Sequence, residues 1–436
     1  MLERHRRLLF KQNPQWMGKA PMPFEFRRDL FGRVYDYLQY PQIVAVVGLR
    51  RVGKTVLLRQ IIADLAGTVD GRNICYISFD DRDFQNYETA EELINYFLAF
   101  SDRGSVRYLF LDEIQKVRSW PDLLKTFYDT EENLKMVVSG SSSLEMKKYR
   151  ETLAGRIVTI HMPIFSFKEF VRYFGLRCTI SLGDLMREYD QHFLLEKERY
   201  ALLFENYLLK GAFPELLTID EEAFIKQYIK DAVMEKIVAE IAKGREDVVY
   251  ELLKVFARNT ARLFDVVNLA NALSLNRNAV ANYVIALERA FVIKIAHNYG
   301  KSAMRQARTG KKAHIVHSCV PIALFDLPFS VTQINGVDRG YLVESTVANS
   351  LESTAFWMSP QKDEVDIVLQ DNALLPVEVK YQEHITKADL KGILKFMDRF
   401  DVKEGVVVTK DILAEEKIGS KRIIYIPAWL FLLIGD

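Results

Sequence analysis

The chain has 436 residues, of which 49% are apolar, and this composition is enough to build the cores of two to four domains. Its 59 basic and 58 acidic residues give a formal charge of +1, so no overall positive field indicates nucleic acid and any such contact must come from a local patch. The three cysteines lie far apart and form no C-x-x-C pair, which argues against a disulfide framework and against a cysteine-based zinc site.

The first 21 residues form a charged N-terminal extension. Its apolar stretch, Leu8-Leu9-Phe10, is too short for the apolar core of a signal sequence. No run in the chain approaches the length of a membrane span. Together with the unpaired cysteines, these features favour a reducing compartment, and we expect a cytoplasmic protein with no membrane partner.

A phosphate-binding loop follows the first apolar run. Residues Gly48 to Thr55 fit the pattern G-x-x-x-x-G-K-[ST], after a predicted strand at 43–47 and before a predicted helix from residue 56. The glycines let backbone N–H groups reach phosphate oxygens, Lys54 would bind the outer phosphates and the Thr55 hydroxyl would help to hold Mg²⁺. The alternative is a chance glycine turn with a surface lysine. The predicted phosphate-binding residues are Gly48, Arg50, Arg51, Val52, Gly53, Lys54, Thr55, Val56 and, from a later strand, Ser139.

A strand predicted at 108–111 ends in two acids, Asp112 and Glu113. After a phosphate-binding loop in an α/β domain, this pattern predicts that Asp112 holds Mg²⁺ and that Glu113 polarises the attacking water. Taken alone, two acids after a strand are a common solvated surface feature. The carboxyl ends of parallel strands are where such sheets place their ligands, and this favours the functional interpretation.

Two further features follow in chain order. A strand at 135–138 leads into Ser139 to Ser143, which is either a γ-phosphate sensor or a turn with a serine helix cap. Arg156 precedes a strand at 157–160 and is a candidate to neutralise charge on the phosphoryl group, within its own subunit or in a neighbour. Spacing alone favours a surface arginine at a strand start.

Residues 165–243 have helical periodicity, with two long amphipathic pieces at 196–209 and 221–240. Residues 250–295 have the rhythm of a helix-turn-helix followed by a wing strand. The third helix would begin near Arg277, capped by Ser274 or Asn276. It would expose residues suited to bases and phosphates, but winged helices also dock proteins. These residues are Asn276, Arg277, Asn278, Asn282 and Arg289.

Five basic residues without an intervening acid come next. We interpret this segment as a mobile basic linker, with a phosphate-contacting strip as the alternative. Its members are Lys301, Arg305, Arg308, Lys311 and Lys312.

The last hundred residues contain a helical acid, Glu344, and the pattern Asp366…Glu378-x-Lys380 typical of restriction-type nucleases. If the runs around Asp366 and Glu378 pair as a hairpin, matching of their apolar faces places these two acids opposite each other, with a turn near residues 371–373. Glu344, Asp366 and Glu378 would then hold a metal ion while Lys380 orients water. The alternative is a hairpin whose charged face is simply solvated.

Taken together, the motifs resemble a bacterial and archaeal family of AAA-type predicted ATPases. The matching stretches are Gly48–Thr55, Leu111–Gln115 with Trp120, Ser139–Ser142, Leu153–Arg156, Pro163 with Phe165–Phe170, and Gly211–Pro214, where Ala212 departs from the Gly-Gly-Phe-Pro signature. The resemblance implies an α/β fold in which a P-loop, AAA+-like parallel-sheet domain is followed by a helical lid, a winged helix and a restriction-endonuclease-like domain. It further implies ATP with Mg²⁺, an arginine-finger or sensor role for Arg156, and a homo-oligomeric ring or partial ring, such as a hexamer.

The expected domains are therefore an extension at 1–21, the ATPase domain at 22–164, the lid at 165–244, the winged helix at 245–300 and the nuclease-like domain at 301–436. The leading hypothesis is an ATPase that couples nucleotide state to movement and acts on DNA or on a protein, with Lys54, Glu113 and Arg156 as catalytic residues. The alternatives are a signalling-type ATPase switch with slow turnover and an ATP-gated, metal-dependent nuclease.

Overall fold

The computed structural model describes residues 2–19, 26–140, 152–242, 244–300, 310–352, 355–370 and 373–435. Its internal contacts divide the chain into two compact units, Met1–Ile164 and Phe165–Asp436. None of the helices in the described residues combines the length and the apolar composition that crossing a bilayer requires.

The first unit is built on a five-stranded sheet in the order β2-β3-β4-β1-β5, in which every neighbouring pair is parallel. All five residues of β1 are buried, as expected for the centre of a parallel sheet covered on both faces. The strands are β1 Ile43–Val47, β2 Ile74–Ser78, β3 Arg107–Asp112, β4 Leu134–Gly140 and β5 Ile157–His161. The helices are α1 Glu3–Gln12, α2 Leu30–Tyr37, α3 Lys54–Leu65, α4 Tyr87–Phe100 and α5 Trp120–Thr130. The strands predicted from the apolar runs are confirmed.

The strand order decides which loops meet. Strand β4 lies between β1 and β3, and all three end at the same edge of the sheet. The loop after β1, the two acids at the end of β3 and the serine near the end of β4 are therefore neighbours, as the rule for parallel α/β sheets requires.

The N-terminal residues belong to the first unit and cover its edge strand. The Asn13 side chain donates to the Tyr76 carbonyl oxygen (2.8 Å) and accepts from the Tyr76 N–H (2.7 Å), so it pairs with β2 like a neighbouring strand. Trp16 donates from its indole nitrogen to the Ile74 carbonyl oxygen at 2.8 Å. An exposed sheet edge is a site of unwanted pairing, and these contacts protect it.

The second unit begins with the helical region that the sequence predicts. Its helices are α6 Phe167–Tyr173, α7 Leu185–His192, α8 Lys197–Lys210, α9 Glu222–Gln227 and α10 Lys236–Ala242, with a π-helical stretch at Tyr228–Glu235 between the last two. A short pair of parallel strands, β6 Ile180–Ser181 and β17 Ile434–Gly435, joins this region to the end of the chain.

Three helices and a three-stranded antiparallel sheet follow, where the sequence predicts a winged helix. Strand β9 pairs antiparallel with both β7 and β8, and the Asn276 side chain caps α13 by accepting from the Ala279 N–H at 2.7 Å. The elements are α11 Glu246–Arg258, β7 Arg262–Phe264, α12 Val266–Ala272, α13 Arg277–Arg289, β8 Ile293–Asn298 and β9 Lys311–Ile315. Because β9 lies beyond residue 300 yet completes this sheet, the sheet extends across the predicted boundary at 300.

The remaining elements form the C-terminal part of the second unit. Strand β10 (Ala355–Met358) adds to β8 in parallel, and a separate sheet has the order β12-β13-β14-β16-β15. The other strands are β11 Glu364–Val365, β12 Ile367–Gln370, β13 Leu374–Lys380, β14 Glu404–Thr409, β15 Ala414–Ile418 and β16 Lys421–Pro427. The helices are α14 Cys319–Leu324, α15 Gly336–Ser350, α16 Lys391–Phe400 and α17 Ala428–Phe431.

The predicted hairpin is confirmed in its register. Ile367 of β12 lies opposite Val377 of β13 in an antiparallel pair, and Asp366, which precedes β12, accepts from the Val379 N–H of β13. Both faces of this pair carry buried side chains: Ile367 and Val377 are buried on one face, and Val368 on the other packs in a core with Trp357 and Phe396. Residues 371 and 372 of the predicted turn lie outside the described residues.

Candidate functional site

The loop between β1 and α3 is shaped by its two glycines. A Cβ on Gly48 would lie 2.3 Å from the Met162 carbonyl oxygen, and Gly53 has a φ of +100°, a conformation that a side chain disfavours. Val52 is fully buried and anchors the loop, whereas Arg51 and Val56 are exposed. The loop therefore presents backbone N–H groups at the start of α3, where the helix dipole favours an anion.

Lys54 is folded into this loop. Its ammonium group donates to the carbonyl oxygens of Gly48 (3.0 Å) and Leu49 (2.9 Å), and the residue is only 5% exposed. A phosphate chain in the loop would offer this cation charged oxygens in place of neutral carbonyls, and charge-assisted hydrogen bonds are the stronger ones.

Asp112 is the centre of the site and accepts three hydroxyl groups. Its Oδ2 accepts from Thr55 Oγ1 (2.7 Å) and from the Tyr76 hydroxyl (2.8 Å), and its Oδ1 accepts from Ser139 Oγ. Burial, followed by the Asp112 charge, raises the pKa of Tyr76, so the phenol stays a neutral donor. The loop threonine, the acid of β3 and the serine of β4, which are far apart in sequence, are brought together as predicted.

Glu113 adopts a left-handed backbone conformation (φ +56°) at the end of β3. Its N–H donates to Ser139 Oγ (3.1 Å), and its carboxylate accepts from Gln115 Nε2 at 2.7 Å. Burial raises the pKa of Glu113, which moves this carboxylate towards the range suited to a general base. Of the predicted sensor segment, Ser139 contacts both acids, while Ser141 to Ser143 lie outside the described residues.

Arg156 lies away from this site. It directly precedes β5, whose first residue pairs with the first residue of β1, so it is at the edge of the sheet opposite the phosphate-binding loop. At about 3.3 Å per residue, the length of β1 separates them by roughly 15 Å. Its guanidinium instead makes a bidentate ion pair with Asp129 (2.8 and 3.1 Å). The structure thus does not bring Arg156 to the phosphate site of its own chain.

Three residues around the loop were not predicted. Arg28 is buried and donates to the carbonyl oxygens of Val52 (2.5 Å) and Pro163 (3.0 Å), which fixes the loop against the segment after β5. The other two are Tyr76 and Gln115, described above. No sequence signal marks Arg28 or Tyr76, but Gln115 lies within the Leu111–Gln115 motif.

The acids of the predicted nuclease-like site lie together in the second unit. Glu344 on α15, Asp366 before β12 and Glu378 on β13 line one cavity of about 1090 Å³, and each is less than 10% exposed. Asp366 Oδ2 accepts from the Val379 N–H at 2.8 Å, and Lys380 donates to Glu378. The solvated-face interpretation of this hairpin is therefore wrong, because its acids are buried.

A lysine that we predicted to lie in a mobile linker, Lys312, lies among these acids. The ammonium group of Lys312, on β9, is 2.8 Å from Glu344 Oε1 and 3.5 Å from Asp366 Oδ1, and it also contacts Glu364. We call Lys312 with Glu344, Glu364 and Asp366 the carboxylate cluster. The prediction of a mobile linker is wrong for Lys311 and Lys312, which belong to β9, while Lys301, Arg305 and Arg308 lie outside the described residues.

The predicted metal set does not fit this arrangement. Within the described ranges, no group of three or more His, Cys, Asp or Glu side chains is placed to hold a metal ion. Burial and the neighbouring Asp366 raise the pKa of Glu344 to about 8, and burial also raises the pKa of Glu378. Acids that favour protonation are poor metal ligands, because ligation requires the ionised form.

Sequence families confirm the resemblance for the first unit. Residues 40–171 match an AAA domain, and residues 201–328 and 339–431 match two domains of unknown function, the second described as DUF4143. An uncharacterized protein of Methanocaldococcus jannaschii is 27% identical, covering 90% of this chain and 85% of the relative. An uncharacterized protein of Haemophilus influenzae is 23% identical, covering 93% of this chain and 98% of the relative.

Two solved structures are similar at low identity. A Walker-type ATPase of Pyrococcus abyssi is 18% identical with a TM-score of 0.39, covering 70% of this chain and 98% of that one. The Aeropyrum pernix Orc1 protein in complex with DNA is 13% identical with a TM-score of 0.32, covering 71% and 94%. The P-loop fold of the first unit follows from the strand order and from the positions of the motif residues.

Proposed function

Because the chain carries an AAA domain at residues 40–171, we propose that its first unit binds ATP with Mg²⁺ and hydrolyses it. One observation carries the proposal: Thr55, the second residue of α3, donates to Asp112, which ends β3, at 2.7 Å. A hydroxyl and a carboxylate are the hard oxygen donors that Mg²⁺ prefers beside a phosphate chain. They fit this ion better than a softer metal, which would favour sulfur or imidazole ligands.

Each side chain has a separate role in this proposal. The loop amides and Lys54 bind the phosphates, while Thr55 and Asp112 would hold Mg²⁺, which neutralises phosphate charge when bound. Glu113 accepts a proton from the attacking water, and its raised pKa suits that task. Ser139 donates to Asp112 and accepts from the Glu113 N–H, so it fixes the two acids relative to each other.

The first experiment measures ATP hydrolysis by the purified chain with Lys54→Ala. We expect the rate to fall at least about a hundredfold, because the charge that stabilises the transferred phosphoryl group is lost. The matched control is Lys135→Ala, since Lys135 lies near the start of β4, at the opposite edge of the sheet, and donates to the Tyr40 carbonyl oxygen. Unchanged hydrolysis in Lys54→Ala would contradict the proposal.

The position of Arg156 supports the proposal that this ATPase is a homo-oligomer. Its position at the far edge of the sheet leaves it available to the nucleotide of a neighbouring subunit rather than to its own. We expect Arg156→Ala to lower hydrolysis by about a thousandfold, the usual effect of losing an arginine finger. Asp129→Ala is the control, because it breaks the same ion pair but keeps the guanidinium.

A mixing experiment tests the action between subunits. Chains with Arg156→Ala keep an intact phosphate-binding loop, and chains with Lys54→Ala keep the arginine. If Arg156 acts across an interface, a mixture of the two inactive variants recovers part of the hydrolysis that neither has alone. A mixture as inactive as its components, at a concentration where the chains associate, would refute this role.

We propose that the ATPase acts on DNA or on a protein and that its winged helix contacts this partner. The first turn of α13 and the residue before it expose Asn276, Arg277 and Asn278, and Asn282 is exposed one turn later, as the sequence predicted, whereas Arg289 is partly buried. These side chains can hydrogen-bond to bases or phosphates. Hydrolysis that rises on addition of duplex DNA favours a DNA-acting ATPase, and unchanged hydrolysis favours a protein partner.

The Glu113–Gln115 contact favours a second candidate, a switch with slow turnover. Because Gln115 donates to the carboxylate at 2.7 Å, the general base is held until this hydrogen bond is released. We expect Gln115→Ala to raise basal hydrolysis if the chain is such a switch and to leave it unchanged if it is not. Nucleotide that stays bound through purification of the wild-type chain would also support the switch.

A further inference from the structure

The cavity of the second unit contains the residue types of a metal-dependent nuclease and an additional lysine among them. We propose that the ammonium group of Lys312 is the resident cation of the carboxylate cluster and that the cluster therefore takes no divalent metal ion. This inference is independent of the proposed ATPase, which concerns the first unit.

The distances leave no room for both cations. A divalent ion such as Mg²⁺ binds carboxylate oxygens at about 2.0–2.6 Å. The ammonium group already lies 2.8 Å from Glu344 Oε1 and 3.5 Å from Asp366 Oδ1, between the oxygens that a metal ion would need. The other oxygen of Asp366 accepts the Val379 N–H at 2.8 Å. This hydrogen bond holds Asp366 in the orientation in which Oδ1 faces the ammonium group of Lys312.

The fold holds Lys312 in place. Its backbone is in the middle of a sheet, because β9 pairs with β7 on one side and with β8 on the other. The residue is 3% exposed, and its ammonium group also faces the buried ring of Phe356 at 5.6 Å. Withdrawing the side chain would leave buried acids without their cation, which is more costly than a broken surface ion pair.

The charges of the cavity balance without an added ion. Burial opposes the charge on Lys312, but Glu344, Asp366 and Glu364 outweigh it and raise the pKa of the ammonium group well above its usual value. The residues that line the cavity include six basic and six acidic side chains, which leaves no net negative charge to attract a metal.

The contacts also assign the cluster a structural role. Lys312 connects the winged-helix sheet, through β9, to Glu344 on α15 and to the acids next to β12. Hydrolysis that depends on a metal held by Asp366 and Glu378 is not available while this connection is intact. The cluster joins the wing to the C-terminal sheet instead.

The test measures Mn²⁺ binding to the full, nucleotide-free chain by electron paramagnetic resonance, with Asp112→Asn in every sample to weaken the site of the first unit. We expect the otherwise wild-type chain and Lys311→Met to leave millimolar Mn²⁺ free. Lys311 is the matched control, since neighbouring residues of a strand point to opposite faces. Lys312→Met should bind Mn²⁺ at least about tenfold more tightly, because a like charge next to the ligands is gone. Adding Asp366→Asn should abolish this gain.

Two outcomes would overturn the proposal. The first is Mn²⁺ binding by the chain with Lys312 intact that disappears with Asp366→Asn. The second is a folded Lys312→Met chain that gains no Mn²⁺ affinity. If Lys312→Met does not fold, the comparison of the chain with and without Asp366→Asn still decides. ATP hydrolysis is measured separately, so failure here leaves the ATPase proposal untouched.

Discussion

Asp112 in the first unit and Asp366 in the second are both buried, and each accepts hydrogen bonds on both carboxylate oxygens. Their donors differ in charge. Asp112 accepts hydroxyl groups from Thr55, Tyr76 and Ser139, all neutral, whereas Asp366 accepts a backbone N–H and the ammonium group of Lys312. Neutral donors orient a carboxylate and leave its charge for a metal ion, while an ammonium group neutralises it. The number of acids in a site is therefore a poor guide to metal binding, and the charge of their partners is a better one.

Substitution of the two aspartates should differ most strongly in its effect on ATP hydrolysis. Asp112→Asn should lower Mg²⁺-dependent hydrolysis by about a hundredfold or more, because the carboxylate that would hold the ion is lost. Asp366→Asn should change it by no more than about twofold, as for a substitution remote from the site. Steady-state rates of ATP hydrolysis of both variants test this prediction. Equal losses would contradict the claim that Asp112, and not Asp366, holds the Mg²⁺ ion.

The second effect is on stability. Lys312→Met should lower the free energy of unfolding by about 3–5 kcal/mol, because it leaves buried carboxylates without their cation. Lys311→Met, on the same strand, should change it by less than about 1 kcal/mol. Denaturant unfolding of both variants provides the measurement. Similar values for the two lysines would mean that the cluster does not depend on its ammonium group.

The third effect is a pH dependence of stability. The folded chain raises the pKa of Glu344 from 4.5 to about 8, so the stabilising contribution of this carboxyl is complete below its unfolded pKa and is lost as the pH rises through about 8. Glu344→Gln stays neutral and has no such loss, so its stability relative to wild type should rise between about pH 5 and pH 9. Thermal unfolding across this range tests it, with Glu198→Gln on the exposed side of α8 as the control. A pH-independent difference would contradict the assignment.

The smallest effect concerns a neutral donor of Asp112. Tyr76→Phe removes one of the two hydroxyl groups on Oδ2 but keeps Thr55, so we expect a loss of about 1 kcal/mol in stability without nucleotide. The loss should be smaller than that of Lys312→Met, since a neutral hydrogen bond rather than a charge is removed. Chemical unfolding of Tyr76→Phe and of Lys312→Met, with and without Mg²⁺ and ATP, measures the two losses in stability. A loss as large as that of the lysine variant would remove the distinction between the two sites.

Much of the proposed ATP site could be predicted because its signals are local. Gly48 to Thr55 is one contiguous stretch, and the apolar runs before Asp112 and Ser139 are strands of the predicted kind. The hairpin register could also be predicted, because alternate residues of each strand lie on the same face of the sheet. The exposed start of α13 followed from helix periodicity and a cap residue.

Contacts between residues that are far apart in the sequence could not be predicted. Tyr76 reaches Asp112 across 36 residues, and no pattern around Tyr76 differs from that of any buried strand. Lys312 follows four other basic residues in the sequence, which is typical of a solvated segment, yet it is buried against acids 32 and 54 residues away. Its burial depends on the pairing of β9 with β7 and β8, which no local signal reports.

The sequence alone was enough to predict the phosphate-binding loop of the first unit, because such a loop is made by adjacent residues of one contiguous motif. Two other features could be seen only in the folded chain: Arg156 lies at the far edge of its own sheet, and the ammonium group of Lys312 lies among the acids of the second unit. Both depend on which strands lie side by side, and that order is set by packing of the whole chain rather than by any single segment.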